Sequence, residues 1–187
     1  MLPLTDADQQ LLLRTARRAL EEKIQLQSLP PPAEMPSSVA RPGGAFVTLH
    51  KGGALRGCVG RVEAPSPLYQ TVYECALSAA LSDPRFDPVL PEEVPHLQIE
   101  ISALSPLADI RPDDIEVGVH GLLITQGSQH GLLLPQVATE WRWDRMRFLE
   151  QTCLKANLTK DAWLRGARIQ AFTAQVFAEG EARGKTA

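Results

Sequence analysis

Long apolar runs are missing from this chain. Nowhere do more than three hydrophobic residues stand together, against the roughly 20 that a bilayer-spanning helix needs. The start, Met1-Leu2-Pro3-Leu4-Thr5-Asp6, lacks the basic stretch and apolar core of a secretory signal. Cysteine is scarce: Cys58, Cys75 and Cys153 are odd in number and far apart, with no C-x-x-C pair and no Cys/His cluster of zinc spacing. That excludes a disulfide scaffold and gives no metal site, so the expectation is a reduced, cytoplasmic protein with free thiols. Neither sign of charge dominates, with 19 Lys+Arg against 22 Asp+Glu and a net charge of −3. Residues 51–150 hold 8 basic and 14 acidic side chains, which leaves no footprint for duplex nucleic acid or an anionic membrane. The P-loop, H-E-x-x-H, G-x-S-x-G and EF-hand patterns are all absent, so no cofactor is expected from a motif.

What remains is an ordinary globular composition. The 187 residues are 44% hydrophobic, enough to bury a sizeable core in one domain or two packed lobes. Residues 6–26 read as an amphipathic helix capped by Thr5, with Leu12, Ala16, Ala19 and Leu20 as its apolar stripe. Leu29-Pro30-Pro31-Pro32-Ala33 opens a connector that runs to Gly44. Ala45–His50 and Leu55–Val59 read as a β-hairpin turned at Gly52-Gly53. Ser66-Pro67 reads as the cap and first residue of a helix that stops at Asp83-Pro84. Leu97–Ala103 alternates as a half-buried strand, and a second hairpin is expected at 122–125 and 132–134 across Gly127-Ser128. Trp143–Ala156 is expected as a helix with Trp143, Met146, Phe148, Leu149 and Cys153 on its apolar face, and Ile169–Ala178 as a last strand. Helices mixed with hairpins, rather than regular βαβ units, give an α+β class with mixed or antiparallel sheets. The expected organisation is one domain over 1–187, with an ordered core of about 8–178 and a tail from 179.

Leu55-Arg56-Gly57-Cys58-Val59-Gly60 is the most unusual segment. Regular alternation puts Arg56 and Cys58 on one face of the strand, where a guanidinium favours the reactive thiolate. Gly57 and Gly60 weaken a strand interior, which signals a close approach by another backbone or by a ligand. Two hairpin registers are open, one placing Val47 and Leu49 on the cysteine face, the other Phe46 and Thr48. The plain alternative for Cys58 is core packing, which is also the reading for Cys75 and Cys153 in apolar helical stripes. Asp83-Pro84-Arg85-Phe86 is either a helix stop with a local ion pair or an anion site in which Asp83 positions Arg85. His120, flanked by Gly118 and Gly121, is the candidate general base for Cys58. His50, His96 and His130 read as surface or turn residues, and Glu100 as solvated or paired.

Taken together these segments resemble the AMMECR family, named in bacteria and archaea as AmmeMemoRadiSam system protein A. Leu55–Gly60 matches its L-R-G-C-[IV]-G signature, and Ser78–Phe86 its D-x-R-F block. Val117–Gly121, Leu134–Ala138 and Cys153–Leu158 resemble its later blocks. The resemblance implies two unequal lobes with the cysteine signature near a cleft between them. It also implies association, by pathway if not by contact, with a Memo-type protein and a radical S-adenosylmethionine enzyme. It marks Arg56, Gly57, Cys58, Gly60, Asp83, Arg85 and His120 as family positions for a family without an established activity. Asn157 stands where the family commonly has Gly; Asn tolerates the left-handed conformation that ends a helix, so the fold is expected to hold.

Two functions follow as expectations. In the first, Cys58 is a nucleophile or covalent carrier, His120 is its acid/base, and Arg56, Gly57, Gly60, Asp83 and Arg85 bind or orient substrate. In the second, the same cleft docks a partner protein or metabolite without catalysis. Any radical chemistry would belong to the companion enzyme.

Overall fold

The computed structural model describes residues 3–27 and 35–180. The chain forms two compact units: one runs to Leu104 and resumes at Gln175, the other is Ser105–Ala174. Each has its own four-stranded sheet and its own apolar core, as an α+β class requires. Among the described residues no helix is long and apolar enough to cross a membrane.

In the first unit Thr5 caps α1 (Asp6–Lys23) as expected, its hydroxyl accepting the Asp8 N–H. The Asp8 carboxylate returns the favour by accepting the Thr5 N–H at 2.9 Å, a reciprocal capping box. Leu12, Ala16, Ala19 and Leu20 are fully buried. A short α2 (Ser37–Ala40) leads to β1 (Ala45–Lys51) and β2 (Ala54–Arg61), which α3 (Leu68–Leu81) crosses. With β3 (Leu97–Leu104) and β8 (Ala174–Ala178), the sheet order is β2-β1-β3-β8. Alternation turns Ala45, Val47 and Leu49 of β1 and Leu97, Ile99 and Ile101 of β3 into one core with α1 and α3. The opposite face of the sheet carries Phe46, Thr48 and His50 beside Gln98, Glu100 and Ser102.

The second unit pairs β4 (Ala108–Asp109), β7 (Arg168–Phe172), β5 (Gly121–Gln126) and β6 (Gln129–Leu133) in that order. The β5–β6 hairpin turns at Gly127-Ser128, as its sequence predicts. A short α4 (Pro135–Glu140) precedes α5 (Arg145–Lys155), whose Phe148, Leu149 and Cys153 bury beside Leu122 and Ile124. Asp144 caps α5 by accepting the Arg147 N–H at 2.7 Å. At the other end Asn157 takes φ +57°, and the Leu158 N–H reaches back to the Cys153 carbonyl at 3.0 Å. This is the left-handed helix stop for which Asn157 was expected to suffice.

The structure corrects several local expectations, among them the start of the helix expected from Trp143, which begins at Arg145 after its Asp144 cap. The first helix ends at Lys23 rather than residue 26, since Leu26 lies in the left-handed region at φ +55°. Ser66 is not a cap: Pro67 stays extended in a β-bridge with Pro42, and the Leu68 N–H donates to the Arg41 carbonyl, so α3 starts one residue later. Met146 is 46% exposed instead of joining the apolar face of α5. The single last strand is two. Thr173 separates β7 from β8, and the halves join different sheets. At this break the Ser105 N–H donates to the Thr173 carbonyl and the Thr173 N–H to the Ser105 hydroxyl, both at 2.9 Å. The expected tail from 179 begins later, since the Glu179 N–H donates to the Ile99 carbonyl at 2.9 Å; the Leu29–Ala33 stretch and residues 181–187 lie outside the described residues.

Candidate functional site

The hairpin register places Thr48 opposite Cys58 and Phe46 opposite Gly60. Of the two open registers, this is the one with Phe46 and Thr48 on the cysteine face, turned away from α1 and α3. The Thr48 hydroxyl donates to the Cys58 sulfur at 3.3 Å. Cys58 is half-buried, whereas Cys75 and Cys153 are buried. Burial pushes the Cys75 thiol up to about 11 and raises that of Cys153 as well. Only Cys58, among the three, combines access with a polar neighbour at sulfur.

Because β2 is the edge strand, the outward backbone groups of Cys58 have no strand to pair with. The Asp83-Pro84-Arg85 turn takes that place. Asp83 Oδ2 accepts the Cys58 N–H at 2.8 Å, and Arg85 Nη2 donates to the Cys58 carbonyl at 3.4 Å. Asp83 in turn accepts the Arg85 N–H at 3.1 Å, Nε at 2.9 Å and Nη2 at 2.7 Å. The Asp83 side chain is 3% exposed while that of Arg85 is 55% exposed. The Arg85 guanidinium, helped by the Cys58 N–H, holds the Asp83 carboxyl well below the usual carboxylate range. Arg85 also lies over the Phe86 ring, 5.5 Å from its centre. The helix stop and the ion pair are therefore both real, and together they fix the backbone at Cys58.

Arg56 does not join Cys58. Gly57 faces Leu49 but Leu55 faces His50, so Arg56 is the extra residue of a β-bulge. The bulge breaks the regular alternation on which the shared face depended. Arg56 instead grips the 87–93 segment: Nε and Nη2 bind Glu93 at 3.2 and 2.9 Å, and Nη1 donates to the Asp87 carbonyl at 2.8 Å. This fork, with the Leu90 N–H and Lys51, lowers the Glu93 carboxyl to about 2. Glu93→Gln is expected to cost about 2 kcal/mol at neutral pH. A carboxyl depressed from its ordinary 4.5 stabilises fully above that value and loses its contribution as pH falls through about 2. Denaturant titrations should thus show the gap to wild type closing across that window.

The two signature glycines answer to the protein's own chain. A Cβ on Gly57 would sit 2.1 Å from the Ala79 carbonyl oxygen of α3, and one on Gly60 2.2 Å from the Phe46 ring. His120 belongs to the second unit, where its Nδ1 accepts the Glu116 N–H at 3.0 Å within its own turn. The structure thus brings Cys58, Asp83 and Arg85 together and gives Arg56, Gly57 and Gly60 local structural partners. From the sequence Thr48 belongs to one of two open registers, His50 reads as a surface or turn residue and Glu100 as solvated or paired; the structure puts all three on the sheet face of Cys58. The period-2 pattern of β1 and β3 held that signal, but only a known register connects it to Cys58. Among the described residues no group of three or more His, Cys, Asp or Glu is placed to hold a metal ion.

The AMMECR1 family model matches residues 13–177. Protein TK0174 of Thermococcus kodakarensis is 43% identical over 188 residues, covering 94% of this chain and 92% of the relative. Protein Mbar_A1807 of Methanosarcina barkeri is 40% identical over 192 residues, covering 97% and 95%. The crystal structure of the uncharacterized protein PH0010 from Pyrococcus horikoshii superposes with a TM-score of 0.81 at 40% identity, covering 93% of this chain and 92% of that one.

Proposed function

The chain belongs to the AMMECR1 family, and from that premise we propose that it works through the Cys58 thiol, as nucleophile or covalent carrier in a modification reaction. The observation that carries this reading is the environment of Cys58. It is a half-buried thiol with a hydroxyl donor at sulfur and a backbone held by Asp83 at its N–H and by Arg85 at its carbonyl. Such fixing of a nucleophile suits group transfer, in which orientation contributes much of the rate. The reaction class is acyl transfer: the sulfur attacks an acyl carbon, a thioester bond forms, and the leaving group departs with the thiol proton. Arg85, whose guanidinium is more than half exposed beside the cysteine, holds an anionic group of the substrate, and Asp83 orients that guanidinium. No proton is routed through His120, whose Nδ1 is already engaged. The family resemblance supports a pathway for this step that includes a Memo-type protein and a radical S-adenosylmethionine companion, to which any radical chemistry would belong.

The test is acylation by p-nitrophenyl acetate, read peptide by peptide by mass spectrometry. Cys58 is expected to acylate at least tenfold faster than glutathione in the same buffer, with Cys75 and Cys153 unlabelled. Cys58→Ser should abolish the label. A Cys58 no faster than glutathione overturns the proposal and leaves the sheet face as a docking surface.

A further inference from the structure

We infer that His50 and Glu100 complete the Cys58 site, as its proton acceptor and the carboxylate behind it. The inference rests on the thiol-transfer reading above and assigns the base that reading lacks. Thr48 stands opposite Cys58 on one side and opposite Glu100 on the other, so one row crosses β2, β1 and β3 on a single face. His50 is two residues along β1 on that same face, which makes it the diagonal neighbour of both Cys58 and Glu100. Directly opposite residues lie about 5 Å apart and diagonal ones about 7–8 Å, within reach of an imidazole and a glutamate side chain. All three are half-buried. Neither His50 nor Glu100 has a hydrogen bond or ion pair among the described residues, whereas Arg56, Lys51 and Arg85 are all paired with Glu93 or Asp83.

The bulge at Arg56 supplies the second argument. In an unbroken register the residue facing His50 would be Arg56, since Leu49 faces Gly57. A guanidinium there would repel a proton arriving on the imidazole. The extra residue instead carries Arg56 away to Glu93 and puts Leu55 opposite His50. Bulges commonly re-aim a side chain beside an active site. Here the bulge removes a cation from beside the base while Glu100 stays on its other side.

In the step itself, His50 takes the Cys58 S–H proton as sulfur attacks the acyl carbon. The imidazolium, with the Glu100 carboxylate as its diagonal neighbour on β3, returns that proton to the leaving group. The balance is thiol plus acyl donor giving thioester plus protonated leaving group. Thr48 holds the sulfur in line.

The experiment measures acylation of Cys58 by p-nitrophenyl acetate in the full chain. His50→Ala and His50→Gln are each expected to slow it at least tenfold, and Glu100→Gln about three- to tenfold. Added imidazole should restore much of the rate to His50→Ala, which a merely structural loss would not permit. Thermal unfolding of all three variants should match wild type, since neither side chain has a partner to lose. Wild-type rates in both His50 variants, or no imidazole rescue, overturn the inference while a reactive wild-type Cys58 leaves the thiol-transfer reading standing. An inert wild-type Cys58 overturns both.

Discussion

Asp83→Ala is expected to destabilise the protein by about 3 kcal/mol at neutral pH. The loss comes from three sources. The Cys58 N–H becomes an orphaned donor at a sheet edge, the Arg85 fork loses its acceptor, and a buried side-chain site is left empty. For a chain of this length that corresponds to a fall of roughly 6–12 °C in Tm, measurable by calorimetry. The pH dependence identifies the cause. Asp83 titrates lower in the folded protein than in the unfolded chain, so its stabilisation is complete above the ordinary value of 3.8 and drains away as pH falls below it. The difference between wild type and Asp83→Ala should therefore be constant from pH 7 to about 5 and shrink in more acid solution. A difference unaffected by acid would mean that Asp83 fills space rather than accepting hydrogen bonds as a carboxylate. The same variant should slow acylation of Cys58, because it frees the backbone that carries the sulfur.

Gly57→Ala should do still more damage to the fold. The added methyl would lie 2.1 Å from the Ala79 carbonyl oxygen and 3.0 Å from its carbon, both backbone atoms of α3. Backbone cannot rotate aside as a flexible side chain can. Either α3 lifts from β2 or the strand bends, and a loss of about 3 kcal/mol or more is expected. Gly53→Ala is the informative contrast. Its Cβ would meet nothing within 4 Å, and only the left-handed φ of +81° is unfavourable. About 1 kcal/mol is expected there. Chemical denaturation of the two variants should rank them in that order, and equal losses would refute the close packing of α3 on β2.

How far the sequence reveals this site differs from residue to residue. The hairpin at Gly52-Gly53 is legible because two glycines of positive φ leave few other structures open to the segment. Its register is not. A one-residue shift exchanges the two faces, and the choice falls to burial of Val47 and Leu49 under α3, a tertiary fact. The bulge at Arg56 is equally hidden, since nothing local distinguishes an arginine in step with its strand from one displaced toward Glu93. Asp83 and Arg85 announce themselves as an ion pair, but the Cys58 backbone they hold is 25 residues away. The apolar alternation of 168–178 continues across Thr173, so it reads as one strand although two sheets share it.

That division at Thr173 bears on how the chain acquires its structure in time. β8 belongs to the sheet of the first unit, yet all of Ser105–Ala174 must be made before it emerges from the ribosome. The first sheet therefore cannot be completed until the whole second unit has been synthesised. Closing a flexible segment of that length would cost about 4 kcal/mol in chain entropy. The clasp between Ser105 and Thr173 changes this, because once the second unit has folded its two ends are already side by side. The intervening residues then act as a short bridge rather than a long loop. β8 arrives beside β3 preset, and Glu179 just beyond it closes the first unit by pairing with Arg17 of α1.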